Sequence, residues 1–323
     1  MKTLQSLLLS LSIATVGTTT HALEPVTVNA PPQVAGYYHH AFGNTQITAL
    51  LDGTNFLNPA LFKDIDDAKK AEILKKYHAD HAQGIQTSIN AFLINTSNQL
   101  IMVDSGAASC FGTHLGSIYS NLKASGYQPE QVNDIFLTHL HPDHVCGISN
   151  NGVANYPKAT LHISKTEYDY WLSPNTVKGL AKDQQAGFLA TVEKIKAALA
   201  PYEKAKKLKV FSDKSLAFGG IEFKPSFGHT PGHYSFKLKT GGQEVVFIGD
   251  IVHSHTLQFE QPKTAVEFDI DSKTAVQTRL KHFAEYAKEG QLIAAPHLPF
   301  PGLGYIYSKD NQSYQWIPVH FKD

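Results

Sequence analysis

Short apolar segments, each bounded by polar or small residues, recur along the chain and predict a fold rich in β-strands. Segments of this length that are uniformly apolar, or that alternate with polar residues, are typical of buried and half-buried strands. They lie at residues 46–51, 91–94, 100–103, 134–137, 160–163, 221–225, 234–238, 245–248 and 292–294. Thr96-Ser97-Asn98 and Gly241-Gly242 each separate two of these segments, which predicts two β-hairpins.

Longer segments with apolar residues three or four positions apart predict helices between the strands. Residues 64–77 are amphipathic, with Ile65, Ile73 and Leu74 among the apolar positions. Ser164 followed three residues later by Glu167 has the spacing of a capping box, which predicts a short helix ending near Trp171. Further helices are predicted at residues 115–124, 184–199 and 272–288, and a loop at 174–183.

The two halves of the chain follow the same order: a hairpin that ends in aspartate, a helix, and a short strand that ends in polar residues. Asp104 and His139 take these positions in the first half, and Asp250 and His297 take them in the second. The similarity is one of architecture, because the halves share no residue identity. It predicts an α/β fold of two β-rich layers packed face to face, with helices outside and a site along the shared edge.

The N-terminal 22 residues have the pattern of a secretory signal peptide. Lys2 precedes an apolar run at 4–16, and small residues lead up to Ala22. A membrane anchor is the alternative, but the run is too short to span a bilayer. We therefore expect cleavage after Ala22 and a single domain at 23–323, located in the periplasm or secreted. Its first residues, to position 34, are Pro-rich and predict an extended arm.

The balance of charges excludes two classes of partner, and the cysteine content excludes a disulfide framework. Lys+Arg and Asp+Glu each number 28, so the net charge is zero and attracts neither nucleic acid nor an anionic membrane. Neither nucleic acid nor a membrane is therefore an expected partner. The two cysteines, Cys110 and Cys146, do not form a disulfide framework, and their pairing stays open. Cys146 follows His144 by two residues and is interpreted as a small buried residue rather than a metal ligand.

A dense group of imidazoles and carboxylates follows the apolar segment at 134–137. It is the stretch Thr138-His139-Leu140-His141-Pro142-Asp143-His144. The end of a buried strand is where open α/β sheets place their chemistry. A polar surface loop is the alternative, but imidazole and carboxylate are the ligands that zinc and similar ions prefer. His229, Asp250 and His297 follow later strands and bring the set to seven ligands, which suits two divalent ions rather than one.

The pattern His-x-His-x-Asp-His at 139–144, with the three later ligands, resembles the signature of the metallo-β-lactamase superfamily. The resemblance implies an αββα sandwich of two mixed β-sheets and hydrolysis by a hydroxide that bridges two divalent ions, with Zn²⁺ as the default. It assigns His139, His141 and His229 to one ion, Asp143, His144 and His297 to the other, and Asp250 to both. Asp250 also counts against β-lactam hydrolysis, because the antibiotic-destroying members lack a bridging aspartate there.

Further stretches resemble methyl parathion hydrolase and its lactonase relatives. They are residues 36–38, 47–50, 52–54, 103–108, 121–124, 126–132, 294–298 and 300–302. The resemblance implies an aromatic substrate pocket beside the metals at Phe111, Trp171 and Phe188, and it suggests a homodimer. Ordinary core aromatics are the alternative interpretation of these three residues.

His253, three residues after Asp250, separates the subgroups of this family. Parathion hydrolases have leucine there and acyl-homoserine lactone lactonases have tyrosine, so histidine departs from both but keeps a polar group. Phe268 is bulkier than the leucine of the parathion-hydrolysing enzymes. We therefore predict a hydrolase of lactones, acyl-homoserine lactones among them, or of aryl esters. Asp250 and His253 are its predicted catalytic residues, and His253 and Phe268 line its pocket. A purely supporting or surface role is the alternative for His253.

Two other functions stay open. An organophosphate triesterase would use the same metal site, although residues 56–63 hold no counterpart of the arginine that parathion hydrolases carry. A periplasmic metal-binding protein without catalysis is the alternative from another class, and the seven-ligand set counts against it. His233, the second histidine of the His229 turn, is interpreted as structural.

Overall fold

The first half of the chain forms a seven-stranded sheet whose strands lie side by side in chain order. They are β1 (Tyr37–Phe42), β2 (Thr45–Leu57), β3 (Ile85–Asn95), β4 (Leu100–Val103), β5 (Val132–Phe136), β6 (Thr160–Ser164) and β7 (Leu208–Phe211). The pairings from β1 to β4 are antiparallel, and those from β4 to β7 are parallel. The carboxyl ends of β4, β5 and β6 therefore meet at one edge.

The second half forms another seven-stranded sheet, again in chain order. Its strands are β8 (Ala217–Phe218), β9 (Ile221–Pro225), β10 (Tyr234–Thr240), β11 (Gln243–Phe247), β12 (Leu292–Ala294), β13 (Leu303–Ser308) and β14 (Tyr314–Pro318). Only β11 and β12 pair in parallel, and the other neighbours are antiparallel. Both predicted hairpins are present, as β3–β4 and β10–β11.

Helices lie in the connections between strands, and all but the first of them connect strands that pair in parallel. They are α1 (Asp67–Lys76), α2 (Ile118–Ala124), α3 (Pro142–Val145), α4 (Lys165–Leu172), α5 (Pro174–Gly179), α6 (Lys182–Lys204), α7 (Leu257–Glu260) and α8 (Ser272–Glu289). The prediction of a loop at 174–183 was wrong for most of its length. Ser173 caps the amide of Asn175, and Pro174 occupies the first helical position, so a short helix begins there.

Three apolar layers hold these elements together and confirm the αββα sandwich. The facing surfaces of the two sheets enclose an aromatic-rich core. A second core lies between the first sheet and helices α2, α4 and α6, and a third between the second sheet and α7 and α8. Phe136 at the end of β5 is fully buried, 5.1 Å from the ring of Phe223 and 5.3 Å from that of Phe236. Burial of such a ring contributes about 1.5–3 kcal/mol to stability, so the end of β5 is anchored in the core where the next loop begins.

The computed structural model describes residues 34–212, 217–308, 310 and 312–321. The predicted signal peptide at 1–22 lies outside the described residues, as does nearly all of the predicted arm. From Ala35 onward the chain forms one compact unit. Within the described ranges, no helix is both long enough and apolar enough to cross a bilayer.

Candidate metal centre

The loop after β5 brings four of the predicted ligands to the edge where the parallel strands end. His141 precedes α3 in an extended conformation, and Pro142 occupies the first helical position. The single turn of α3 then carries Asp143 and His144 back toward His139. Pro142 fits this position because its fixed φ is helical and its missing N–H has no helical partner to lose.

The first donor group consists of His139, His141, His229 and Asp250, whose ligand atoms all lie within 4.8 Å of one another. Nδ1 of His141 is 3.0 Å from Nε2 of His139 and 2.9 Å from Nε2 of His229. Oδ2 of Asp250 is 3.2 Å from Nε2 of His229 and 3.6 Å from Nε2 of His139. Residues from the ends of β5, β9 and β11 thus converge on one point.

The second donor group consists of Asp143, His144 and His297. Oδ2 of Asp143 is 3.7 Å from Nε2 of His144 and 3.5 Å from Nε2 of His297. Asp250 lies between the groups: its Oδ1 is 3.2 Å from His144 Nε2, and its Oδ2 is 3.2 Å from His297 Nε2. The structure therefore brings all seven predicted ligands together, with Asp250 adjoining both groups.

The unsatisfied atoms of this centre fit a divalent ion. His144 Nε2 and Asp250 Oδ1 are buried and make no hydrogen bond within the described residues. Nitrogens that share a tetrahedral zinc stand roughly 3.3 Å apart, given zinc–nitrogen bonds of 2.0–2.1 Å. The spacings among the donor atoms, 2.9–3.7 Å, bracket that value. The centre is therefore a site for divalent metal.

Acceptors behind the imidazoles fix their orientation, as is usual for metal-binding histidines. Asp104 lies 2.9 Å from His144 Nδ1 and also accepts from the amide and hydroxyl of Thr138. Asp269 lies 2.9 Å from His229 Nδ1. Asp104 has a φ of 57°, a strained conformation for a residue with a side chain, at the point where β4 reaches the site.

Asp269 and the arginine next to it, Arg279, were not predicted from the sequence. Arg279 on α8 is fully buried and donates to the carbonyl oxygens of Ile251, Pro262 and Thr264. Its guanidinium lies 3.9 Å from Asp269. A buried Arg on an amphipathic helix carries no sequence signal of its own, because its partners are backbone carbonyls of a distant loop.

Burial and the Asp250 charge determine the protonation of the centre. Burial lowers the pKa of His141 to about 3. Burial also disfavours the charged form of His229, but the Asp250 and Asp269 carboxylates outweigh it and raise that pKa to about 9. For Asp250, burial favours the neutral form, yet the surrounding imidazoles, His144 first, hold the pKa well below its usual range. A metal ion takes carboxylates in this ionised form and imidazoles in the neutral form.

The two further histidines near Asp250 occupy different places. His253 lies in the cavity that opens onto the centre, with Nε2 3.0 Å from Asp250 Oδ2 and its ring stacked on His297. Burial lowers the pKa of His253 to about 4. His233 lies behind the centre, where its Nε2 accepts from the amide of Asp250 and its Nδ1 lies 2.8 Å from the Ser226 hydroxyl. That position agrees with the structural role predicted for His233.

The cavity has a volume of about 300 Å³ and a mixed lining. Besides members of the donor groups, His253 and Pro142, its lining consists of Asn55, Leu57, Thr87, Ile89, Phe111, Trp171, Thr191, Lys194 and Phe268. We call the apolar residues Leu57, Ile89, Phe111, Trp171 and Phe268 the cavity wall. They come from five separate segments of the chain. Only the aromatic members were predicted from the sequence.

Three of the four predicted pocket aromatics line the cavity. Trp171 is 4% exposed, while Phe111 and Phe268 are 44% and 37% exposed. Phe188 is not among the lining residues. It stacks on Trp171, with ring centroids 5.0 Å apart and an interplanar angle of 9°. Phe188 therefore supports the wall and does not form it.

A disulfide joins the wall to the centre. Cys110 and Cys146 are bonded, with Cα atoms 6.4 Å apart. Cys110 precedes Phe111, and Cys146 follows α3. Lys194 reinforces this loop because its Nζ donates to the Cys110 carbonyl oxygen and lies 5.0 Å from the centroid of the Phe111 ring. The pairing that the sequence left open is thus part of the site.

An αββα sandwich with two adjoining groups of His and Asp at its strand ends defines the class: a metal-dependent hydrolase. The chain belongs to the metallo-β-lactamase superfamily, since the family model with the description "Metallo-beta-lactamase superfamily" matches residues 84–310. Family and site together confirm the predicted hydrolase.

Known proteins similar to this chain agree with that class. AbOPH, described as a hydrolase in the β-lactamase superfamily, is 62% identical, covers 90% of this chain and all of its own, and has a TM-score of 0.89. AidC, a dizinc quorum-quenching lactonase solved with a product, is 26% identical over 89% of this chain and 99% of its own, with a TM-score of 0.79. The N-acyl homoserine lactonase AttM of Agrobacterium fabrum (strain C58) is 27% identical over 184 residues. That alignment spans 55% of this chain and 62% of AttM.

Proposed function

We propose that the chain is a hydrolase with two divalent ions that opens lactones, acyl-homoserine lactones among them, or cleaves aryl esters. The observation that carries the proposal is the similarity to AidC along nearly the whole of both chains, because AidC is described as a dizinc lactonase in complex with its product. The 27% identity to the lactonase AttM gives further support. The aromatic wall suits an uncharged acyl chain or ring.

Each predicted ligand has a place in this function. His139, His141 and His229 would hold one ion, Asp143, His144 and His297 the other, and Asp250 would contact both. When bound, such a pair of divalent ions supplies a nucleophile at neutral pH and polarises the substrate oxygen. Zinc is the default ion for this donor set, and manganese, cobalt and iron accept the same ligands. Elemental analysis of protein purified without added metal identifies the ion and its stoichiometry.

In this proposal, the chain's own residues orient the substrate. Trp171 and Phe111 would hold the apolar part of the ester against the wall. His253 lines the cavity beside Asp250 and offers a polar group where the reacting carbonyl would lie. In the proposal, the His253 ring hydrogen-bonds the substrate, as a positioned imidazole can do in general acid–base catalysis.

The variant His253→Leu tests this assignment. We expect kcat/KM for an aryl lactone and for N-hexanoyl-homoserine lactone to fall about tenfold or more, the value of roughly one hydrogen bond in the transition state. Turnover of methyl paraoxon should stay the same or rise. His320→Leu changes an exposed histidine near the C-terminal end and serves as the control. Unchanged rates on all three substrates would refute the role of His253, and wild-type preference for methyl paraoxon would favour the phosphotriesterase instead.

We also propose that the protein works in the periplasm or outside the cell after cleavage behind Ala22. The Cys110–Cys146 disulfide supports this location, because disulfides persist in oxidising compartments. Cell fractionation with mass determination of the mature chain tests it, and a cytoplasmic protein that retains Met1 would contradict it. The homodimer suggested by the parathion hydrolase resemblance stays a prediction, which light scattering can check.

A further inference from the structure

Glu167 lies on α4, yet its carboxylate contacts both segments that carry the three histidines of the first donor group. Oε1 accepts from the amide of Leu140, between His139 and His141, at 2.9 Å. Oε2 accepts from the hydroxyl of Thr230, next to His229, at 2.6 Å. One side chain therefore connects the loop after β5 to the turn after β9.

Two more donors complete the surroundings of this carboxylate. Trp171 Nε1 donates to Oε1 at 2.7 Å, and the amide of Gly232 donates to Oε2 at 3.1 Å. Glu167 itself is 1% exposed. Backbone amides and the indole N–H can only donate, so the site requires a side chain that only accepts. A carboxylate meets that requirement, whereas the amide of glutamine would turn an N–H group toward other donors.

The backbone of α4 is fitted to the same turn. Ser164 caps the amide of Glu167 at 3.1 Å and donates to the carbonyl oxygen of Gly232 at 2.7 Å. A Cβ at Gly232 would lie 2.1 Å from the backbone nitrogen of Glu167, so only glycine allows this approach. The capping box predicted for this helix is thus half formed. Ser164 caps, but the Glu167 side chain turns to the metal-binding segments.

The remaining contact extends the connection to the cavity wall. Trp171 lies one helical turn after Glu167, and its ring centroid is 5.4 Å from that of His141 in an edge-on arrangement. Glu167 therefore binds both the Trp171 indole, which lines the cavity, and the backbone amide of Leu140, which precedes His141. The indole in turn contacts the His141 imidazole.

We propose that Glu167 is a positioning residue that fixes three histidines of the first donor group, His139, His141 and His229, relative to Trp171 in the cavity wall. The second group, Asp143, His144 and His297, depends on other partners, namely Asp104 and the carbonyl oxygen of Ser88. Loss of the carboxylate should therefore weaken one metal equivalent and spare the other. The inference rests on the proposed two-ion centre and is independent of which ester is hydrolysed.

The test is a Zn²⁺ titration of the metal-free full chain against a chromogenic chelator, with Glu167→Gln beside wild type. We expect one of two zinc equivalents to bind about 10–100-fold more weakly, the usual cost of losing a group that orients metal ligands, and the other to change less than about threefold. Glu193→Gln is the matched control, because Glu193 is exposed on α6 and forms a surface ion pair with Lys196. It should bind both equivalents like wild type.

Wild-type isotherms for Glu167→Gln, or equal weakening of both equivalents, would overturn the inference. Wild-type protein that takes up no zinc would overturn the proposed function as well, so the two failures can be told apart. If circular dichroism shows that Glu167→Gln does not fold, Thr230→Val replaces it, since it removes one donor and keeps the carboxylate. The same equivalent should then weaken about 3–10-fold, and an unchanged isotherm would again refute the proposal.

Discussion

The metal centre and the cavity wall differ in how the protein holds them. His139 and Asp250 are 0% and 3% exposed, and acceptors such as Asp104 and Asp269 orient the imidazoles from behind. Phe111 and Phe268, by contrast, are more than one-third exposed, and a phenyl ring has no polar group to orient it. The centre is held by directional bonds, whereas the rings of Phe111 and Phe268 are held by packing.

This difference separates two properties of the enzyme. Buried, hydrogen-bonded groups are costly to disturb, so the centre determines whether hydrolysis occurs at all. Half-exposed aromatic groups can change with little loss of stability, so in the proposed function the wall would determine which ester is accepted. Changes in the centre should therefore affect every substrate alike, and changes in the wall should discriminate between substrates.

The largest effect should come from Asp250→Asn. The amide removes the negative charge that lies between the two sets of histidines, and Asp250 Oδ1 and Oδ2 each face imidazole nitrogens at 3.2 Å. We expect bound zinc, measured by elemental analysis, to fall. We expect kcat/KM to fall about 1,000-fold for every ester tested, equivalent to roughly 4 kcal/mol.

Asp183→Asn, on the exposed first turn of α6, is the control for that change. It should keep both zinc content and turnover. If Asp250→Asn loses activity on one substrate and keeps it on another, the metal centre also contributes to specificity. The division of roles between the centre and the cavity wall would then be wrong.

Removing the disulfide should have the next largest effect, because it joins the two regions. The bond closes a loop of 36 residues, for which chain entropy gives about 4 kcal/mol of stabilisation. We expect Cys110→Ser with Cys146→Ser to lower the free energy of unfolding in urea by that order and to raise KM more than it lowers kcat. Wild type treated with reductant should match the double variant. A variant as stable as oxidised wild type would show that packing alone fixes the Phe111 loop.

The centre could be predicted from the sequence because its chemistry is concentrated. Four ligands lie within six residues, and the other three each follow a short apolar strand. The two-layer fold was predictable for the same reason, since regular strands and hairpins have local signals. The ligand roles of these residues stay a prediction, to which the structure adds their convergence.

The wall and the supporting residues could not be predicted in the same way. Ile89 and Lys194 reach the cavity from elements with no local sign of a site, and Glu167 has the spacing of an ordinary helix cap. Strand β13 was missed because Tyr305 and Tyr307 are exposed aromatics, which hide the alternation of apolar and polar positions. These features depend on contacts between residues that lie far apart in the sequence. Such contacts produce no periodic pattern of apolar positions in a single sequence.

The smallest effect, and the sharpest test of the comparison, should come from Phe111→Ala. The exposed face of this ring would be covered by a bulky substrate and would contribute about 1 kcal/mol, so KM for an aryl lactone should rise about fivefold. A small aliphatic lactone that does not reach the wall should keep its KM, and kcat should stay within about twofold for both. Tyr307→Ala, a similarly exposed aromatic on β13, is the control and should change neither. Because Lys194 packs on Phe111 and binds the Cys110 carbonyl, the truncation leaves the loop anchored, so a fall in zinc content would mean that the wall also supports the centre.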